Sequence, residues 1–558
     1  MDSISNNKIV TLGNGVNTSN SNVPIQAKSP FYDYIHNWYK YLSDHPDPKF
    51  TEYIVNGICK GVDIGYTGPR RARVHDNWPS VSKYNQAVSK VLTNDVVRGR
   101  KAGPFATPPF KNFVGSPMGA FPKKHSPDKY RVIHDLSWPP GASINEGIDL
   151  DCSVQYITVD TVVRHVKKCG PGALMAKIDL EDAYKHIMVQ PSDWELLGLT
   201  FDTIDKNNNG SKQFYVDLTL PFGLKSSAKI FSKFAEGLHY IMQARGVTIV
   251  ENYLDDFFTC GQVGTPECYN NLSTMISTCK ILGWGLQCKK IVRPTTELEF
   301  LGIVIDSVHR ELKISDQRLN DIMKELQVWS YKKVCKKREL LSLIGKLSFI
   351  SRVVRPGRTF LRRLIDLSKR VKYLHHRIKL SKESLADINW WIQYLPTWNG
   401  ISLFYNESWE SNDRLEWWSD ASDTGYGCFF QGSWISENFN ANCKSEKSIA
   451  WRELYALYVA ACTWGERLKG KRILFHCDNS AIVQVLEKGT SKEPQIMNLV
   501  RSLFFVAAHN NFEFSAVHIP GKKNEIADAL SRGQLTRFRK LAPNAELCKT
   551  KVHVKMIV

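Results

Sequence analysis

No apolar run in these 558 residues approaches the ~18 that a bilayer span demands. The opening Met1-Asp2-Ser3-Ile4-Ser5-Asn6-Asn7 lacks the basic-then-apolar pattern of a secretory signal. Cysteine is present but unorganised: thirteen residues, an odd number, with no C-x-x-C pair. That disfavours a disulfide framework and a zinc knuckle and predicts free thiols in a reducing compartment. No internal repeat is visible. These absences predict an intracellular protein of the cytoplasm or nucleus, neither secreted nor membrane-bound.

Acid is nearly missing from one stretch. Between Tyr331 and Leu380 there are 16 Lys or Arg against Glu339 and Asp366, a net +14 of the chain's +19. Leu340, Leu341, Leu343, Ile344, Leu347 and Ile350 recur through it at helical spacing, so it is not a disordered basic tail. Solvated helix faces usually mix signs; a face of one sign suggests a polyanion, and nucleic acid is the commonest. Lys332 to Arg338 also fits a nuclear signal, though a nucleic-acid surface is the better use.

Hydrophobic residues at 43% and aromatics at 11% suit a folded chain, and the length has room for several domains. Residues 1–30 read as a flexible Ser/Asn-rich leader and 31–115 as an N-terminal extension with an aromatic helical pattern from Phe31 to Leu42. Gly103-Pro104, Pro108-Pro109 and Ser116-Pro117 mark extended connection. Short β-type runs alternate with helices over 116–306, a basic helical stretch fills 307–395, and the character changes near Trp398-Asn399-Gly400. Strands and a βαβ-like pattern occupy 412–533, and 534–558 reads as a tail.

Two constellations of acids carry chemistry. Leu174-Met175-Ala176-Lys177-Ile178-Asp179 is an apolar run ending in a carboxylate, and Tyr253-Leu254-Asp255-Asp256-Phe257-Phe258 puts two more at a hairpin turn. Like charges ~4 Å apart repel by about 4 kcal/mol at an effective dielectric of 20. Divalent cations offset that cost, and Mg²⁺ prefers oxygen donors. Alone, Asp-Asp between apolar runs is usually a solvated turn, Pro122-Lys123-Lys124 with Tyr130-Arg131 a basic hairpin, and Leu220-Pro221-Phe222-Gly223-Leu224-Lys225 the entry to a capped helix.

In combination these motifs resemble reverse transcriptases: Lys124 and Arg131, Asp179 to Tyr184, Leu220 to Lys225, Tyr253 to Asp256, then Leu282-Gly283-Trp284-Gly285-Leu286 with Lys289 and Lys290, and Glu299-Phe300-Leu301-Gly302. The resemblance spans about 115 to 370. It implies an α+β multidomain chain with a right-hand polymerase of fingers, palm and thumb. Asp179, Asp255 and Asp256 would hold two Mg²⁺, with Mn²⁺ able to substitute, and Lys124 and Arg131 would grip the incoming dNTP. Phe222 and Gly223 would line its site, and the Tyr184 ring would leave no room for a 2′-hydroxyl. Lys289 or Lys290 would protonate pyrophosphate. Arg358, Arg362 and Arg363 would touch the duplex from the thumb and connection.

The second constellation is Asp420 after an apolar run, Glu453 in the helix starting near Trp451, Asp478 before a capping Asn479, and Asp528 in a short helix. Each alone is more often a surface acid. In this order, with Ser448-Ile449-Ala450-Trp451-Arg452-Glu453-Leu454 and His518-Ile519-Pro520-Gly521-Lys522-Lys523-Asn524, they resemble an RNase H-like α/β domain of the retrotransposon kind. Asp420, Glu453, Asp478 and Asp528 would then bind two further Mg²⁺ and direct water at an RNA phosphate. His518 is a candidate near the last acid. Asp423-Thr424-Gly425 has the aspartic-protease triplet but no room for that fold.

Gly99-Arg100-Lys101-Ala102-Gly103-Pro104-Phe105, Arg131-Val132-Ile133-His134-Asp135-Leu136-Ser137 and Leu343-Ile344-Gly345-Lys346-Leu347-Ser348-Phe349 look like DIRS-like retrotransposons, which imply a separate recombinase of the same element. The partners so implied are an RNA template, a DNA primer, the RNA–DNA hybrid and dNTPs. The competing reading, of another class, is a catalytically inactive relative that only binds nucleic acid. The presence of all seven acids favours the enzyme.

Overall fold

The structure is a computed structural model that describes residues 25–552 except 26, 124–125, 150, 205–209, 399–401, 404–407, 441–446, 490 and 492. Most of the expected leader and Asn399-Gly400 fall outside the described residues. Two compact units are present, one ending at Leu298 and one starting at Glu299. No helix among the described residues is long and apolar enough to cross a membrane.

At the centre of the first unit lies a four-stranded antiparallel sheet in the order Val292–Thr295, Leu174–Asp179, Asp256–Gly261, Glu251–Tyr253. Met175, Ala176, Ile178, Phe257, Phe258 and Cys260 are buried in it. Three helices, Val159–Cys169, Ser227–Ala244 and Glu267–Leu282, cover it with apolar stripes such as Val162, Val163 and Val166, or Phe231, Phe234 and Leu238. Glu267–Leu282 stops at Gly283, whose φ of 82° lets the Trp284 N–H reach back to the Cys279 carbonyl at 2.9 Å.

A second sheet orders Arg73–Val74, Val114–Gly115, Gly198–Ile204, Gly210–Asp217 and Lys101–Phe105, so the Gly/Pro-punctuated connection is extended at Gly103-Pro104 and bends and turns between its two strands. Pro122-Lys123 and Tyr130-Arg131 lie on a separate hairpin, Met118–Lys123 with Ser126–His134.

The N-terminal extension is part of the first unit's core. Helices Ile35–Leu42 and Pro48–Lys60 contribute Trp38, Leu42, Phe50 and Ile54 to the same cluster as Phe257 and Trp284. The Trp38 indole N–H donates to the Leu282 carbonyl at 3.0 Å, 244 positions along the chain.

The second unit begins with short antiparallel strands Ile303–Asp306 and Glu311–Lys313 and the helices Asp316–Ser330, Lys337–Ile350, Arg362–Lys369 and Lys382–Trp398. Beyond them an antiparallel meander, Trp417–Ala421, Gly425–Phe430 and Ser433–Asn438, precedes a parallel pair, Arg472–Cys477 and Glu513–His518. Helices Ile449–Trp464 and Pro494–His509 pack on each other, sharing a core with Trp417 and Phe475. Ser448 caps the first by accepting from the Trp451 N–H, and Asn479 caps Ser480–Lys488 by accepting from Ala481 and Ile482.

Over its described part the expected tail is packed instead. Helix Leu535–Leu541 buries Phe538 against Phe429 and Trp434, and the Trp434 indole donates to the Glu546 carbonyl. Apolar residues too sparse to look like an element find partners on the outer face of the meander.

Trp38→Ala removes a fully buried indole and its hydrogen bond. A loss of about 3–5 kcal/mol is expected, read as a lower urea midpoint for the transition that reports the first unit.

Candidate catalytic centres

Pairing register builds the first centre. Asp256 is directly opposite Asp179 on one side and Tyr253 on the other. Tyr253-Leu254-Asp255-Asp256 turns tightly, Leu254 taking a left-handed φ of 53°, and the Leu180 N–H donates to the Asp255 carbonyl at 3.0 Å. Three carboxylates therefore meet at the ends of two adjacent strands. Their electrostatics reflect the crowding. Burial foremost, with the charge of Asp179, raises the Asp255 carboxyl above its ordinary value. Asp256 is pushed up to about 6 by burial first, then by the charges of Asp179 and Asp255 and a hydrogen bond to Asp179, against the pull of Lys177.

Lys290 balances part of this charge. Its Nζ lies 2.8 Å from Asp179 Oδ2, and that hydrogen bond, with the surrounding aspartates, raises its own pKa. Sequence left Lys289 and Lys290 equivalent; the single turn Cys288–Lys290 turns the second toward the acids.

Tyr184 follows in a short 3-10 turn, Ala183–His186, with its ring 4.9 Å from Phe222 and 5.0 Å from Phe231. Burial, then Tyr156 and Asp255, push its hydroxyl up to about 12. Phe222 is 72% exposed on the adjoining loop. Gly223 has no alternative: a Cβ there would sit 1.9 Å from the His134 carbonyl oxygen. Asn145, which no motif flagged, locks this loop by donating to the Gly223 carbonyl and accepting from the Lys225 N–H. Arg131 is exposed on the hairpin opposite Phe121, and Lys124 lies outside the described residues.

His134 ends that hairpin in a buried cluster that sequence also missed. Its two ring nitrogens face Asp217 Oδ2 at 2.9 Å and the Gly198 carbonyl at 3.1 Å. Asp217 also takes Lys101 and Lys185, and these cations hold its carboxyl well below the usual range despite complete burial, the largest opposing effect.

The second centre gathers Asp420, Glu453 and Asp478, one carboxylate oxygen from each lying within 4.8 Å of the others. Asp420 ends part of the meander, Glu453 projects from Ile449–Trp464, and Asp478 follows Arg472–Cys477. Burial first and the neighbouring acids second push Glu453 up to about 9 and, despite a hydrogen bond from Ser531 at 2.6 Å, Asp420 to about 6. Such a set strains against holding its full negative charge, and all its donors are hard oxygens, so it fits a divalent cation such as Mg²⁺.

Asp528 is held differently. It lies in Glu525–Ser531 but accepts from Arg532 at 2.6 Å and Arg537 at 2.7 Å. Burial raises its carboxyl, and the two arginines outweigh that and bring it below the ordinary value. It stands outside the trio of close oxygens, near enough that its charge raises Asp420. His518 has Nε2 3.1 Å from the Asp478 carbonyl.

Of the three arginines expected to touch duplex, Arg358 is exposed, and Arg362 is exposed with Asp366 at 3.2 Å. Arg363 is turned inward to Asp387, at 3.2 Å, and to the Glu383 carbonyl.

Residues 122–305 match the family described as reverse transcriptase (RNA-dependent DNA polymerase). Among curated proteins, the enzymatic polyprotein of Carnation etched ring virus is 23% identical over 336 residues, covering 57% of this chain and 46% of that protein. Polyprotein P3 of Commelina yellow mottle virus is 21% identical over 388 residues, covering 66% and 18%. The chain thus spans less than half the length of either. Among solved structures, a foamy viral protease–reverse transcriptase in complex with double-stranded DNA aligns with TM-score 0.49 and 14% identity over 89% of this chain and 83% of that one. Another, with an RNA/DNA hybrid, aligns with TM-score 0.47 and 14% identity over 89% and 64%. The part of the chain that carries the first carboxylate centre is thus the part similar to reverse transcriptases.

Proposed function

We propose that the chain is an RNA-directed DNA polymerase, able also to copy DNA, with a hybrid-specific ribonuclease H activity. The observation that carries this reading is the pairing of two acid clusters in one chain, each on adjacent strand or helix ends and each with carboxyls raised above their ordinary values. In the first, Asp179, Asp255 and Asp256 would hold two Mg²⁺; in the second, Asp420, Glu453 and Asp478 would do so, with Asp528 beside them. When bound, such ions activate the attacking oxygen and stabilise the leaving one.

The chain's own groups do the rest. Lys290 neutralises Asp179 and holds a proton near the reacting phosphates. Tyr184, wedged against Phe222 and Phe231, limits the space under the sugar. Arg131, with Lys124, supplies cations for the triphosphate. Ser531 orients Asp420, while Arg532 and Arg537 keep Asp528 ionised. Template RNA, DNA primer, hybrid and dNTPs are the partners this chemistry requires. The motifs from Gly99 to Phe105 and Leu343 to Phe349 favour a DIRS-like element, served by a separate recombinase.

Asp255→Asn should abolish Mg²⁺-dependent primer extension on an RNA template and leave hybrid cleavage intact; Asp478→Asn should do the reverse. Loss of both activities from either change would refute two independent centres.

In metal-free protein the raised carboxyls set a pH dependence. Folded-state values of about 9 for Glu453 and about 6 for Asp420 lie above those of the unfolded chain. The folded state therefore keeps protons that the unfolded state has released, and stability falls as pH climbs from about 4 to 9. The melting temperature in EDTA should drop across that window, and Mg²⁺ or Glu453→Gln should flatten the drop.

Arg358→Gln and Arg362→Gln should each lower the log–log salt slope of duplex binding by roughly 0.9 if each cation meets one phosphate. Arg363→Gln should leave the slope unchanged and lower the melting temperature, because its guanidinium serves Asp387.

A further inference from the structure

The basic stretch contains a small β-ribbon whose charge is not balanced within the described fold. Val334–Lys336 pairs antiparallel with Arg377–Lys379, in the register Val334↔Lys379, Cys335↔Ile378, Lys336↔Arg377. Paired residues share a face. Cys335 and Ile378 are buried at 3% and 4% exposure, anchoring one side. Val334, Lys336, Arg377 and Lys379 are exposed on the other, with Lys333 just before them. Lys336 therefore sits directly across from Arg377, a like-charge pairing that weakens a ribbon unless something negative covers it.

Within the described residues only Glu339 is near enough to feel the charge of Lys336. None of Lys333, Lys336, Arg377 and Lys379 has an ion pair there. Glu339, the nearby acid, is occupied: its carboxylate accepts from the Lys336 backbone N–H at 2.9 Å and lies 3.4 Å from Lys332 Nζ.

An aromatic element adjoins the cations. The loop between the helix Arg362–Lys369 and the ribbon's second strand exposes Tyr373, at 52%, with His375 stacked beside it at 5.8 Å and 11°. The loop is held in place. Lys337 Nζ donates to the Val371 carbonyl at 2.6 Å, the Lys337 N–H to the His376 carbonyl, and the Arg338 N–H to the Leu374 carbonyl. A fixed, exposed ring next to one-signed charge is the combination by which proteins hold unpaired nucleic acid: cations follow the phosphates, and rings stack on bases that are free of a partner. Duplex would satisfy the cations and leave the ring unused.

We propose that this ribbon and loop form a binding site for single-stranded nucleic acid, built from residues other than those of the acid clusters and other than Arg358 and Arg362. It deepens the reading of residues 331–380 as a nucleic-acid surface by assigning one part of it to an unpaired strand. A receptor that reads an extended basic peptide is the competing occupant of Lys332 to Arg338. It would have to peel Val334–Lys336 from its partner strand and expose Cys335. Lysines on a strand edge also discourage pairing with other chains, but that role gives no use to the tyrosine.

The test is fluorescence anisotropy of the full chain in EDTA, with a short unstructured DNA strand and the matching blunt duplex across a salt series. Substituting K336Q, R377Q and K379Q together should lower the single-strand log–log slope by roughly 2, at about 0.7 per lost phosphate contact. Tyr373→Ala should weaken single-strand binding about five-fold or more at unchanged slope, and Tyr373→Phe should restore it. Tyr373→Ala should leave duplex binding and melting temperature unmoved. An unchanged slope overturns the site, and an equal loss on duplex overturns its assignment to an unpaired strand. Loss of nuclear accumulation by a reporter fusion, with oligonucleotide affinity intact, makes it an import signal instead. Because no metal is present, absence of primer extension by the parent protein would sink the enzymatic reading without touching this result.

Discussion

Repulsion among buried carboxylates is the constraint around which this chain is organised. At ~4 Å and an effective dielectric of 20 a pair of such charges costs about 4 kcal/mol, and in the second centre one oxygen from each of three acids lies within 4.8 Å of the others. One acid of each centre is nearly shut off from water, Asp179 and Asp420 each being 5% exposed, and the others are half-buried. Part of the relief is protonation, as the raised values of Asp256, Asp420 and Glu453 record. A further part is a lysine in the first centre and a serine hydroxyl in the second.

Holding like charges together demands backbone that cannot yield. In the first centre that rigidity comes from the ladder joining Leu174–Asp179 to Asp256–Gly261, whose faces are packed by helices. The loop at Phe222 is tied by Asn145 and abuts His134, which is itself clamped through Asp217 to Lys101 and Lys185. In the second, the acids come from a meander strand, a helix and the end of a parallel strand, so three elements must dock before the trio forms.

Much of this was legible because the determinants were local. Asp255-Asp256 between apolar runs reads as a hairpin turn, an apolar strand ending at Asp179 pairs naturally beside it, and Asn479 after Asp478 reads as a cap. What escaped depended on how the chain folds back on itself. Nothing around Asp528 predicts that Arg537, nine positions on, would claim one of its oxygens. The inward turn of Arg363 is invisible without Asp387, whose burial only the tertiary fold reveals. The roles of Asn145 and His134 rest on the close approach of Gly223 and Asp217, which nothing beside them in the chain announces.

The docking of Trp38 beneath Leu282 bears on where the first unit can be divided. The family pattern starts at residue 122, yet two of the helices that cover the sheet bearing Asp179 are themselves packed by helices that lie before residue 61. A cut drawn at the edge of the recognisable pattern would strip apolar cover from Phe234 and Trp284 and leave a sticky, half-finished core. The smallest piece able to stand alone is larger than the piece that sequence kinship outlines.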